Sequence, residues 1–262
     1  FGKVMHTVYE HIDFTVADLP TEVARVVDTY VTGSLLREHR QEIIDGVVLS
    51  LRTPLGGLIG PTTLAEVSSA DRLNELNFEM GLAAFSHGVM VNNIGKVLVQ
   101  SLERAGRFED VLMPYARVLA SDAFAVPLYG LMNGSIDTLI RFSQDAQERL
   151  FITDWKSNRL DEDGMAYVID GYSRESMVNA MEHHHYPLQA LIYGTAVHRY
   201  LRSRGGSGKS LPAIAGMAYF FIRGMVGQPT PTENEHRHGV FTWEAPKGLW
   251  QELSDEISGA GK

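Results

Sequence analysis

Asp154 and Lys156 stand two residues apart in the stretch Phe151-Ile152-Thr153-Asp154-Trp155-Lys156-Ser157. Its β-branched and aromatic residues predict a strand. Side chains alternate faces along a strand, so the carboxylate and the ammonium point the same way. At a strand end, such a pair can hold a divalent cation and orient a water. A second candidate strand, residues 131–142 (LMNGSIDTLIRF), lies ahead of it and carries one acid, Asp137, in an otherwise apolar alternation. If the two strands pair, Asp137 and Asp154 can share one cation. Taken alone, a D-x-K pair is a surface ion pair, because the motif is short and common.

The flanking elements must bring further chemistry to these strands. Residues 1–12 (FGKVMHTVYEHI) predict a helix with an apolar stripe of Val4, Met5, Val8 and Ile12. His6 and Glu10 are four apart and share a face of it. By themselves they read as a surface histidine and a solvated carboxylate. Residues 20–49 are helical in pattern, with a break at Gly33, and residues 53–61 (TPLGGLIGP) are loop-like. From Leu73 to Leu82, the apolar Leu76, Phe78, Met80 and Leu82 alternate with Glu75, Asn77 and Glu79, which predicts a half-buried strand. Residues 91–126 return to helical spacing, with Pro114 at a start or break. A polar loop near Ser143–Glu148 would join the two central strands into a hairpin.

Ser173 is placed to cap a helix, and Pro187 suits the first turn of the next one, which carries Gln189 and Tyr193 on one face. His183, His184 and His185 cannot converge on one ion within a helix, where neighbours point about 100° apart, so they read as polar helix-end residues. GGSGKS at 205–210 lacks the first glycine of a phosphate loop, since Ser203 stands there, and Leu211-Pro212 follows it. Asp161, Glu162 and Asp163 do not match calcium-loop spacing and read as solvated. Residues 215–223 and 239–243 predict strands around a Pro- and His-containing loop, and 247–257 a closing helix. The whole pattern is α/β: one domain over 1–262, a mixed sheet flanked by helices.

Composition narrows the possibilities. The chain has 262 residues, 44% of them apolar, enough for a sizeable core. There are no cysteines, which excludes disulfides, thiolate zinc sites and cysteine-held iron–sulfur clusters. No apolar run is long enough to span a membrane. The mixed polar start has no signal-peptide character, and Phe1 reads as a cut from a longer, cytoplasmic polypeptide. A net charge of −9 counts against tight autonomous binding of nucleic acid, yet is compatible with a nuclease site whose metals supply positive charge locally.

Taken in order, GKVMHTVYEHIDF, LMNGSIDTLIRF, DWKSNRLDED, HHHYPLQALIYGTAVHRYLRSR, AYFFIRGM and GVFTW form a set. This set resembles the C-terminal nuclease domain of the RecB subunit of bacterial RecBCD helicase–nucleases, with weak matching across residues 14–125. The resemblance implies a restriction-endonuclease-like (PD-(D/E)xK) fold and Mg²⁺-dependent cutting of single-stranded DNA delivered by a helicase, in break processing and homologous recombination. Ca²⁺ or Mn²⁺ would substitute for Mg²⁺ in binding. By motif match, His6, Asp137, Asp154 and the Trp155 carbonyl are metal ligands, and Lys156 positions the water or stabilises the phosphorane. Gln189 and Tyr193 match the family's Q-x-x-x-Y helix, which supports the site or contacts DNA, and Glu10 matches an acidic position on the His6 helix. Trp155 stands where the family often has another bulky residue. Implied partners are single-stranded DNA and DNA ends, the RecC and RecD subunits and the recombinase RecA. The competing expectation is a domain without chemistry that binds DNA or loads a recombinase.

Overall fold

The computed structural model describes residues 1–82, 88–144, 147–160, 169–205 and 212–259. The acidic run Asp161–Asp163 and residues 206–210 of the GGSGKS stretch lie outside them. The architecture is α/β, with sheets flanked by helices. The largest sheet has five strands in the order Val240–Glu244, Ala213–Phe221, Gln147–Lys156, Leu131–Gln144 and Arg72–Gly81. The D-x-K strand is thus the middle one. Every residue from Phe151 to Lys156 is buried, as expected of a strand covered on both faces. That position removes Asp154 and Lys156 from the surface that a short D-x-K motif suggests.

The two central strands pair antiparallel, with Thr138 opposite Thr153 and Ile140 opposite Phe151. Pairing runs on to Gln144 opposite Gln147, so the polar segment near Ser143–Glu148 is mostly strand and not loop. The glycine-rich 53–61 region also departs from a plain loop. Pro54–Gly56 pairs antiparallel with Gly60–Thr63, and Gly56 with His236. Positive φ at Gly56, Gly57 and Gly60 lets the chain reverse there. Thr63 and Glu66 close a reciprocal capping box on the short turn that follows.

The chain sorts into two compact units. One comprises Phe1–Leu76, Ile136–Ala180 and Ala215–Trp243. Its helices Gly2–His11, Leu19–Tyr30 and Arg40–Leu51 place Val8, Tyr9, Val23, Val26, Val47 and Leu51 in one core with Phe151, Trp155 and Phe220. The other unit comprises Asn77–Ser135, Met181–Ile214 and Glu244–Lys262. In it Val91–Arg104, Met113–Leu119, Tyr186–Arg204 and Leu249–Ser258 pack together. The Trp250 ring lies over Gly194, where any side chain would strike it, and Trp250 Nε1 donates to the Ile214 carbonyl at 2.9 Å.

Two helical glycines separate packing from propensity. A Cβ on Gly95 would lie 2.4 Å from the Ala120 backbone nitrogen, whereas one on Gly46 would meet nothing within 4 Å. Gly95→Ala is expected to destabilise by roughly 1–3 kcal/mol through overpacking. Gly46→Ala is expected to stabilise by roughly 0.5–1 kcal/mol, since it removes backbone freedom from the unfolded chain. Urea unfolding of both variants checks the opposite signs.

Candidate metal centre

Antiparallel pairing builds the centre. One step beyond the Thr138–Thr153 pair, the ladder carries Asp137 alongside Asp154, and side chains of opposed residues share a face. The Trp155 amide donates to Asp137 Oδ2 at 3.3 Å and holds that carboxylate against the neighbouring strand. Lys156, on the same face as Asp154, places its Nζ 2.8 Å from Asp154 Oδ2 and 5.1 Å from the centre of the Tyr219 ring.

The helix Gly2–His11 supplies the third side chain of the cluster. Its Tyr9 ring stacks on Trp155 at 4.4 Å, and Trp155 also stacks on Phe220 at 5.2 Å and meets Phe14 edge-on. Such pairs contribute about 0.5–1.5 kcal/mol each beyond area burial. The Tyr9 hydroxyl and the Ser50 hydroxyl, 2.5 Å apart, fix the far end of that ring. With Tyr9 so seated, His6, almost one turn earlier, turns its Nδ1 to Asp137 Oδ2 at 2.9 Å. His6 is therefore half-buried in a cluster, not the free surface histidine its helix position suggests.

One ligand atom from each of His6, Asp137 and Asp154 lies within 4.8 Å of the others. Two carboxylates at that separation repel by roughly 3 kcal/mol at an effective dielectric constant of about 20. Among the described residues the Lys156 ammonium lies against the pair, so a negative charge stays uncompensated unless His6 or Asp154 takes a proton or a cation enters. The acid–base chemistry records this stress. Burial pushes the Asp154 carboxyl up to about 7; Lys156 opposes the shift and Asp137 adds to it. Burial alone would lower His6, but the hydrogen bond and charge of Asp137 outweigh it and the imidazole lies above its ordinary value. Burial would raise Asp137, but His6 holds it below the usual carboxylate range.

A resident cation fits these residues. With both carboxyls ionised, Asp154 Oδ1 is buried and meets no hydrogen-bond donor among the described residues, and buried carboxylate oxygens rarely go unpaired. Two carboxylates and one imidazole are a donor set that Mg²⁺ or Mn²⁺ accepts, with waters completing the shell.

Of the other expected site residues, Glu10 lies outside the three-ligand group, with its Oε2 3.6 Å from His11 Nδ1. Gln189 Nε2 donates to the Tyr193 hydroxyl at 3.0 Å, which confirms their shared helix face within the second unit. Pattern alone missed two supports of the His6 helix. Arg72 donates to the Tyr9 and Ile12 carbonyls, and Asn74 to the Glu10 carbonyl. The signal was present: the apolar face Leu76, Phe78, Met80 continues backward at period two onto Asn74 and Arg72.

The fold and site define an α/β domain with a histidine–carboxylate cluster suited to a divalent cation. No family model matches the chain. Across 259 residues, 97% of its length, it is 34% identical to RecBCD enzyme subunit RecB of Mycolicibacterium smegmatis. Against RecB of Mycobacterium tuberculosis the identity is 35% over 265 residues, again 97% of the chain. Against RecB of Escherichia coli it is 24% over 98% of the chain. The chain is thus homologous, along nearly its whole length, to one region of RecB. It spans 23%, 23% and 19% of these three relatives.

Protons and a cation compete for His6 and Asp154. Both groups are shifted upward, and a proton taken up by either as pH falls would oppose metal binding. Mn²⁺ affinity is expected to rise steeply between about pH 5.5 and 8 and to level off above. His6→Ala should weaken binding and flatten that rise. Calorimetric titration at several pH values measures both; a His6→Ala profile that matches wild type would remove His6 from the centre.

Proposed function

We propose that this domain is a Mg²⁺-dependent deoxyribonuclease of the restriction-endonuclease-like (PD-(D/E)xK) class, acting as the C-terminal nuclease domain of a RecB-type subunit. The observation that carries the proposal is the convergence of His6, Asp137 and Asp154 with the Lys156 ammonium beside them and an unpartnered Asp154 Oδ1. His6, Asp137 and Asp154 would hold the ion, with the Trp155 carbonyl as a further ligand. An ion held there would lower the pKa of a bound water and offset charge developing at the phosphate. Lys156, fixed on Asp154, orients the attacking water or donates to the phosphorane oxygen. Asp137 keeps His6 facing the cluster. Gln189, Tyr193 and Glu10 are assigned to DNA contact or support of the site, on the family resemblance.

Substrate and setting follow from the relatives. The RecBCD name supports assembly with RecC and RecD, work on DNA ends in repair and recombination, and a cytoplasmic location. Among the described residues, no helix is long and apolar enough to cross a membrane. A helicase in the same assembly would feed single strands to the site. That delivery offsets the weak intrinsic attraction of a chain with net charge −9 for phosphates. The second reading is a domain that binds DNA or loads RecA without cutting. A buried Lys–Asp pair beside a histidine and a second carboxylate speaks for catalysis, because burying such charges is costly without a use for them.

Asp154→Asn and Lys156→Met retain side-chain volume at the two buried positions. Each is expected to slow Mg²⁺-dependent cleavage of labelled single-stranded DNA by roughly 10²-fold or more, as loss of one polar catalytic group does elsewhere. Circular dichroism controls for folding. Wild-type rates in a folded variant would overturn the assignment, and absence of cutting by the wild-type chain would favour the non-catalytic reading.

A further inference from the structure

We infer that Arg72 and Asn74 position His6 for cation binding, by clamping the C-terminal end of the helix Gly2–His11 to the strand that carries Asp137. The inference rests on the metal-centre reading above and adds the residues that hold its helix-borne ligand in register.

Two of the three ligands come from paired neighbouring strands, whose separation is set by the backbone ladder. His6 has no such constraint. It stands on a ten-residue helix whose own hydrogen bonds fix nothing outside it. The helix ends at His11, and Ile12 turns to extended backbone, so the last carbonyls lack helical partners. Three of them are taken by side chains of one strand. Arg72 donates to the Ile12 carbonyl and, at 3.4 Å, to the Tyr9 carbonyl; Asn74 Nδ2 donates to the Glu10 carbonyl at 2.7 Å. A cation at a helix C-terminus also complements the helix dipole.

Arg72 is set rigidly. Its guanidinium lies 3.6 Å from the centre of the Phe14 ring, and its Nε is buried with no hydrogen-bond partner among the described residues. Asn74 completes the link, because its Oδ1 accepts from the Thr138 hydroxyl at 3.2 Å. Thr138 adjoins Asp137 in sequence, and its carbonyl accepts from Thr153 Oγ1 at 2.8 Å, next to Asp154. One amide side chain therefore bridges the His6 helix to the strand of Asp137. The Tyr9–Trp155 stack fixes the rotation of the helix, and the Arg72–Asn74 clamp fixes its slide along its axis. A slip of one residue would move His6 about 1.5 Å, enough to lose a coordination bond of about 2 Å.

The test is Mn²⁺ calorimetry on the 262-residue chain, with Asn74→Ala, Thr138→Val, His6→Ala and the double variant Asn74→Ala/His6→Ala. Asn74→Ala is expected to weaken Mn²⁺ binding about tenfold, the scale of lost outer-sphere support, and Thr138→Val less. In the His6→Ala background, Asn74→Ala should change affinity by less than about twofold, because the residue it positions is gone. A merely structural role would weaken binding equally in both backgrounds. Wild-type affinity in folded Asn74→Ala and Thr138→Val, or equal losses with and without His6, would overturn the clamp. Wild-type affinity in His6→Ala would overturn the metal-centre reading itself, and the clamp with it.

Discussion

The constraint on which the site depends is the antiparallel ladder between Leu131–Gln144 and Gln147–Lys156, which forces two carboxylates together inside the molecule. The backbone hydrogen bonds of that ladder are made whether or not Asp137 and Asp154 like their proximity. The side chains must absorb the consequence, and they do so in three ways. Lys156 lies on one oxygen of Asp154, His6 and the Trp155 amide bind Asp137, and burial pushes the Asp154 carboxyl up to about 7 against the pull of Lys156. One oxygen of Asp154 is still left without a partner. A cluster of this kind offers a divalent cation a suitable donor set.

The surrounding core works toward the same end. Trp155 sits between the two acidic-face residues of the D-x-K strand and points to the opposite face, where Tyr9, Phe14 and Phe220 pack on it. The ligand face and the packing face of one strand are thereby coupled: the aromatic stack that seats the first helix also aims His6 at Asp137.

Much of this was legible in the residues. The D-x-K strand, the Asp137 strand, their pairing and the first helix follow from β-branched content, period-two alternation and helical spacing. The helix cap at Ser173, the Pro187 start and the Gln189–Tyr193 pair follow from local chemistry, and the structure has each in place. Burial of the Asp154–Lys156 pair was not legible, because it depends on the strand's central place in the sheet, which is a matter of long-range order. The short strands at Pro54–Gly56 and Gly60–Thr63 were hidden by glycines that look like loop yet make the turn between them. The period-two face puts Arg72 and Asn74 in line with Leu76 and Phe78, but what they bind was not legible, because their partners are carbonyls some sixty residues away, and a carbonyl leaves no mark in a sequence.

Anomalous scattering from a crystal of the wild-type chain soaked in Mn²⁺ tests the central claim most directly. The account predicts a peak within about 2.0–2.4 Å of one nitrogen of His6 and one oxygen each of Asp137 and Asp154. A cation bound elsewhere, or none at these three residues at a concentration that supports DNA cleavage, would contradict it.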